Sequence, residues 1–590
     1  MKKVLLYIKP FIMTWALILV LGLSIASIWT LPILGGVIFV CRKVSMCLED
    51  TNDDIYKKKV LKVTLAISVF LGFFVTFGDN GKMLENLENA LFRIIILVIA
   101  YLGMVLLIRS LLILLYVYMN RVKPEPVQKS TESFFCRHIF SLSAGVSFLC
   151  YLPFFLYEYP GILTPDSINQ LEQAMGVIEY SNHHPWMHTL CIEAIVRPIF
   201  NLTGNMNLSV ACYTLFQMIL FSLAVGYFVS TLYKVTKSRK AGVIALIFFA
   251  VVPFNAIMAI TMWKDIIFSL AVVTLICSLI RLVATNIKTQ ISDYILFSLA
   301  IVVMSLFRSN GWFAFLGTAP FILYLFRKKK LPIWIIVIGG IIVSLVVKGP
   351  VMNYFNVSQP DFVESVAMPI QMVSRVLVEN KEVPKEQLEE IEKVMDLTYI
   401  SDIYCEFCAD NMKELVRAGH PQYLAEHKGD FLKIWFSLGM KYPGTYFDAW
   451  VGQTRAYWYP EVYYTIAEAE GVSRNELGIY SDPILRGSFF VKLREIWVKL
   501  GNMIPGYGML WGLGSTFWLI LIALGYSLTK SNKEWILYVP LLMLFGTLMI
   551  ATPLGLEFRY VYYNSLALPV LLIYSFVSPK EESNGSGTCV

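Results

Sequence analysis

The stretch "GILTPDSINQ" (161–170) sets one carboxylate, Asp166, beside a proline where a helix should begin, and "HHPWMH" (183–188) follows with three of the chain's six histidines. An aspartate in that position has two readings. It caps the helix by accepting backbone N–H groups, or it acts as a general base that takes the proton of an attacking hydroxyl. Pro185 holds His184 extended, so His183 and His184 point different ways, and it also separates His184 from His188. The spacing is a weak metal signal, because a hard divalent cation wants carboxylates as well. Donation from His183 or His184 to phosphate or sugar oxygens is the preferred reading.

Four further polar clusters interrupt apolar sequence. They are "MWKDIIF" with Lys264 and Asp265, "LFRSNGWF" with Arg308 and Asn310, "QTRAYWYP" with Arg455, and "GLEFRYVYY" with Glu557 and Arg559. Neighbouring residues on a helix do not face each other, so Lys264 and Asp265 must each find a partner across a cavity. Taken singly, an arginine at the end of an apolar run reads as an interface anchor. Taken together, Lys264, Arg308 and Arg559 suit a phosphate or pyrophosphate group, which guanidinium forks bind bidentately. With few acids in sight, the three are expected to rim one polar cavity.

The elements that must position these groups are membrane spans. Of 590 residues 57 % are hydrophobic and only 15 % charged, more apolar surface than a soluble domain can hide. Apolar runs separated by polar breaks, from 11–29 to 560–577, give about fourteen spans, with 31–41 the least certain. An all-α polytopic membrane protein follows. The basic N-terminus leads into a run too long for a cleaved leader, so it reads as a retained span. Short loops such as "KVTKSRK", "RVKPEPVQKSTESFFCRH", "RKKK" and "KSNKE" are basic, which puts them and both termini in the cytoplasm. All five polar clusters then fall at the outer ends of spans, where ionisable groups commonly face a cavity. The net charge of +7 is thus distributed by topology and does not indicate nucleic-acid binding.

Five segments are expected: accessory spans at 1–138, a transmembrane core at 139–348 with an outer loop at 158–207, an acidic extracytoplasmic domain at 349–504, closing spans at 505–577, and a cytoplasmic tail at 578–590. In the outer domain "VPKEQLEEIEKVMDLTYI" reads as a surface helix with Leu388, Ile391, Val394 and Met395 on one face. The aromatic segment 431–460 is expected to lie along the membrane surface. Cys405 and Cys408 have no second pair nearby, which argues against structural zinc and leaves a disulfide or no special role.

An outer loop opening with an acidic residue before a helix and carrying a later "HHP", further spans, a C-terminal external domain and a closing "EFRYVYY…LP" resemble the GT-C superfamily of integral-membrane glycosyltransferases. The closest likeness is to a bacterial branch related to protein O-mannosyltransferases and aminoarabinose transferases, over roughly 139–577. The resemblance implies an inverting, cell-envelope enzyme in the cell membrane, taking sugar from a polyprenyl-phosphate donor to a glycan, lipid or protein acceptor. It makes Asp166 the catalytic base or a metal holder and Lys264, Arg308 and Arg559 the phosphate clamp, with His183, His184, Asp265, Asn310 and Arg455 also at the substrate. Those relatives carry Asp-Glu or Asp-x-Asp where this chain has Asp166–Ser167, so no cofactor is certain and a divalent metal stays open. The rival readings are a lipid-linked glycan flippase or transporter, which should show repeats and broken helices with polar groups near mid-membrane, and an O-antigen-ligase-like polymerase. A non-catalytic sensor would not need Asp166.

Overall fold

In an apolar surround a backbone must satisfy its own polar groups, and the apolar runs of this chain do so as helices. The computed structural model describes residues 2–78, 89–121, 134–284, 288–327, 331–460, 470–504, 506–530 and 533–577. The tail at 578–590 and, within the basic loops, residues 122–133, 328–330 and 531–532 lie outside them. Among the described residues no strand forms, and pairing outside helices is limited to four isolated bridges.

Among the described residues eight helices are long and apolar enough to cross a membrane: Thr30–Glu49, Asp54–Phe77, Leu91–Arg121, Ile139–Tyr157, Met206–Thr236, Lys264–Val283, Leu331–Tyr354 and Leu513–Lys530. A pair bent by 57°, Arg239–Val251 and Pro253–Ile260, brings the number to nine if it counts as one span. The run at 31–41 is thus part of a helix of its own. An expectation of about fourteen spans counts every apolar run. Several of those runs form helices of 13 to 17 residues, such as Val539–Ala551 and Ser309–Leu325, shorter than a full crossing.

Lys264–Val283 is the central helix, almost wholly buried against Met206–Thr236, Ile291–Leu306 and Tyr562–Val577. At 20 residues it is about 30 Å long. Its two ends carry different charges in different company. At the C-terminal end Arg281 meets Asp293 at 2.8 Å, donates to Thr231 Oγ1 and Ser230 Oγ at 2.7 and 3.1 Å, and lies over the Tyr227 ring. That buried pair is saturated with partners, the condition under which a buried ion pair is tolerable. The N-terminal end, with Lys264 and Asp265, opens on the candidate site.

The bend between Arg239–Val251 and Pro253–Ile260 follows from Pro253, which has no N–H to continue the ladder. Buried amides donate to carbonyls on both sides of the bend. Asn255 Nδ2 donates to Phe248 O and Phe249 O, and Asn255 Oδ1 accepts from the Tyr562 hydroxyl at 2.8 Å. Gln217 Nε2 donates to Met258 O, Ala259 O and Thr261 O at 3.4, 3.0 and 2.7 Å. The chain emerges from this break at Met262–Trp263, directly before Lys264.

A second hydrophobic core forms within 363–446, around Ile370, Val373, Ile391, Met412, Val416, Leu438 and Tyr446. Ile391, Val394 and Met395 are buried on the expected face, although the helix itself ends at Glu392. The aromatic segment expected along the membrane surface is instead the joint between the two cores. Trp450 stacks on Trp458 and donates to Met549 O at 2.9 Å, Trp518 donates to Trp458 O, and Gln453 donates to Thr552 O. Tyr446, Tyr457, Trp458 and Tyr459 are buried by protein, while Phe436 stays exposed. Cys405 and Cys408 are both free thiols.

Gln217→Leu removes the donor shared by three buried carbonyls. It should lower stability by about 2–4 kcal/mol, read as a fall of several degrees in the thermal unfolding midpoint of the purified protein. An unchanged midpoint would show that the break does not depend on that amide.

Candidate active site

Asp166 is placed by the local chain before it is placed by its partners. Pro165 occupies the first position of the helix Pro165–Met175 and Thr164 its N-cap. Ser167 Oγ accepts from Thr164 N at 3.1 Å and donates to Met262 O at 2.7 Å, while Trp263 Nε1 donates to Thr164 Oγ1 at 2.7 Å. The capping role open to Asp166 on sequence is therefore filled by its neighbours, and its own carboxylate is turned elsewhere. Upstream, Ile162 bridges Thr261 and Leu163 bridges Val472. Gly161 permits this, since at φ +135 a Cβ there would lie 2.5 Å from Thr214 Oγ1.

Downstream, the helix Pro165–Met175 is tied to Trp186–Thr203 through a buried chain. Gln170 Nε2 donates to Thr189 Oγ1, His188 Nδ1 lies 2.9 Å from Gln170 Oε1, and the Tyr213 hydroxyl lies 2.7 Å from His188 Nε2. Burial, with Lys264 adding to it, pushes His188 down to about 3. A neutral ring fits these contacts, donating from Nδ1 and accepting at Nε2.

The Asp166 carboxylate meets cations from two other parts of the chain. Arg559 Nη1 is 2.6 Å and Lys264 Nζ 3.6 Å from Asp166 Oδ2. Lys264 Nζ also donates to His184 Nδ1 at 2.9 Å. Burial opposes ionisation of Asp166, but Lys264 and Arg559 outweigh it and hold the carboxyl well below the usual range. Burial and Lys264 push His184 down to about 3, which leaves its Nε2 as the protonated, donating nitrogen. A lysine opening a helix stands against the macrodipole, so Lys264 is kept there by its carboxylate partner and not by the helix.

The expectation of three cations with few acids nearby is corrected by the structure. Buried or half-buried cations without compensation are too costly, and each has an acid. Asp265, fully buried, pairs with Arg308, whose guanidinium also lies over the Tyr560 ring at 4.5 Å. Arg559 has Glu557 Oε1 at 3.3 Å from its Nε, in addition to Asp166. Burial raises the Glu557 carboxyl despite that neighbour. Lys264 and Asp265 do face different partners, as adjacent helical residues must. Gly311 lets the helix Ser309–Leu325 close on its neighbours, since a Cβ there would sit 2.5 Å from Phe268 Cε2.

These groups converge on one cavity of about 570 Å³ lined by Asp166, His183, His184, Lys264, Arg308, Asn310 and Arg559. Asn310 Nδ2 donates to Thr547 Oγ1 at 3.4 Å. Asp265 lies behind the wall as the counter-ion of Arg308. Arg455 does not line the cavity; its guanidinium lies over the Tyr459 ring at 4.5 Å, within the joint. The opposite wall comes from the second core and was not anticipated: Glu364, Asp410 and Lys413, with Lys413 2.8 Å from Glu364 and 2.6 Å from Asp410. His183 turns to that wall, 3.9 Å from Glu364 Oε1, while His184 turns to Lys264.

A divalent metal does not fit this donor set. Asp166 is engaged by two cations and His184 by an ammonium, so a metal would have to enter against positive charge. Among the described residues no group of three or more His, Cys, Asp or Glu side chains could hold one. The arrangement can exchange one anion for another, and it can present a carboxylate to a hydroxyl.

Two outcomes follow from this geometry. Arg308→Ala leaves Asp265 buried and unpaired and should cost about 3–5 kcal/mol, with much of it restored by adding Asp265→Asn; equal unfolding midpoints for the single and double variants would contradict the pairing. His184 and His188 have folded values below the ordinary 6.5, so their contribution is complete above about pH 6.5 and is lost as pH falls toward 3. The midpoint should drop between pH 7 and 5 by the equivalent of roughly 2 kcal/mol per histidine, and His184→Gln should flatten that slope. A wild-type midpoint constant over this range would remove the neutral histidines.

No curated protein and no solved structure matches the chain. A family model described as "Family of unknown function (DUF6020)" matches residues 178–586, a span that holds every cavity residue named above except Asp166. The chain belongs to that family.

Proposed function

We propose that this protein is a membrane glycosyltransferase that moves a sugar from a polyprenyl-phosphate donor to a hydroxyl acceptor at the outer face of the cytoplasmic membrane. The observation that carries this reading is the Asp166 carboxylate, 29 % exposed, held between Arg559 and Lys264 in a cavity walled by both cores.

Asp166 is the anion that compensates the two cations. A lipid phosphate entering the cavity competes for the same donors, with Arg559 able to present a fork to two phosphate oxygens. Once those cations turn to the phosphate, Asp166 loses its compensation and becomes a stronger base. The acceptor oxygen then attacks the anomeric carbon from the face opposite the phosphate. Its proton passes to Asp166, the carbon–oxygen bond to phosphate breaks, and the electron pair leaves with the lipid phosphate. Arg559 and Lys264 stabilise the charge that builds there. The configuration inverts. Arg308, paired with Asp265, shapes the wall and adds its field, while His183, Glu364 and Lys413 face the acceptor. The acceptor is an envelope glycan, lipid or protein.

The feature that would favour a flippase is the bend at Pro253. Carbonyls on both sides of it accept from Gln217 and Asn255, and the segment Pro253–Ile260 carries no ionisable group. The transferase reading is therefore preferred.

Asp166→Asn, assayed in proteoliposomes with polyprenyl-phosphate sugars, should lower transfer by about 10²–10⁴-fold. Donor retention should be equal or tighter, because Arg559 and Lys264 no longer have a competing carboxylate. Undiminished transfer would remove Asp166 as base, and loss of donor retention would contradict the competition.

A further inference from the structure

Among the described residues of the helix Ser488–Met503 none is buried, and the helix presents three faces. One touches the protein. Arg494 reaches Glu158 Oε1 at 3.2 Å and Glu470 Oε1 at 2.7 Å and lies over the Tyr157 ring at 5.2 Å, and Val498 packs against the main core. A second face is a stripe at helical spacing, Phe489, Leu493, Ile496, Trp497, Leu500 and Met503, each between 36 and 74 % exposed. A third carries Lys492, Glu495 and Lys499 in the open. Among the described residues nothing covers the apolar stripe.

The level at which this helix sits is set by two spans. Glu158, the partner of Arg494, immediately follows Ile139–Tyr157. The chain after Met503 turns through Tyr507–Leu510 into Leu513–Lys530. Both are helices long and apolar enough to cross a membrane, and the helix Ser488–Met503 lies at an end of each. We propose that Ser488–Met503 is an in-plane helix that docks on the interfacial layer of the bilayer, its apolar stripe among the acyl chains and Lys492 and Lys499 at lipid phosphates. An amphipathic helix with a charged flank and a broad apolar stripe is the form that binds there, and continuity with two span ends puts the stripe where lipid is.

The dock is joined to the candidate site. Glu470, held by Arg494, precedes Gly471, whose carbonyl accepts from Leu163 N at 2.9 Å, and Ser473 N donates to Leu163 O at 2.8 Å. Leu163 leads through Thr164 and Pro165 to Asp166. The membrane-surface helix thus anchors the strip on which Asp166 is mounted. The proposal concerns the surface alone and does not depend on the reaction.

The test uses the unmodified full chain in phospholipid nanodiscs, labelled in parallel by a bilayer-partitioned photoactivated carbene reagent and by hydroxyl radicals in water, with residue-level mass spectrometry. Carbene labelling of Phe489, Leu493, Ile496 and Leu500 should match that of the exposed span residues Phe70 and Leu111 within about twofold, with Lys492 and Lys499 carrying none. Labelling only at the level of Phe436, exposed on the second core, would overturn the proposal. Protection from both reagents together with cross-links between copies would also overturn it, in favour of a dimer face.

Discussion

A single carboxylate holds the site end of this molecule together. Asp166 Oδ2 gathers Arg559 from 393 residues away and Lys264 from the head of the central helix, and Lys264 in turn takes up His184. Three segments with no sequence proximity are thereby brought to one wall of one cavity. The same carboxylate settles the electrostatics. Two cations in a half-buried pocket require an anion, and the chain supplies one in Asp166. The chemistry proposed for the site is an exchange of that internal anion for an external one, which frees the carboxylate as the reactive group is bound.

Other charges of the bundle are compensated locally. Arg308 and Asp265 neutralise each other beside that carboxylate, Arg559 is shared with Glu557, and the Arg281–Asp293 pair at the far end of the central helix is satisfied by Thr231, Ser230 and Tyr227. The bend at Pro253 serves placement too, since it redirects the chain into the short helix Pro253–Ile260, after which Thr261 and Met262 pair with Ile162.

The convergence of Asp166, His184, Lys264, Arg308 and Arg559 was legible in the sequence, because a charge that interrupts an apolar run has few places to go. The pairing of those charges was not. Nothing in the spacing of Asp265 and Arg308, 43 residues apart, distinguishes a mutual ion pair from two ligand-binding groups. Arg455 was assigned to the site because a span-end arginine beside aromatic residues looks the same whether it faces a cavity, an interface or a joint. The 431–460 segment misled for the same reason: rings that suit a membrane surface also suit a contact between two cores. Glu364, Asp410 and Lys413 gave no signal, being ordinary charges on soluble-looking helices. One signal was present and underweighted. Pro165 at a helix start marks Thr164 as the cap, which already frees Asp166 for other work.

The account rests on a lipid phosphate replacing Asp166 at Arg559 and Lys264. The most direct measurement is an experimental density map of the full chain in nanodiscs with added polyprenyl phosphate. The account predicts phosphate density within hydrogen-bonding distance of Arg559 and Lys264, with Asp166 Oδ2 withdrawn from both. Phosphate bound elsewhere, or Asp166 still paired with Arg559 in a phosphate-filled cavity, would contradict it.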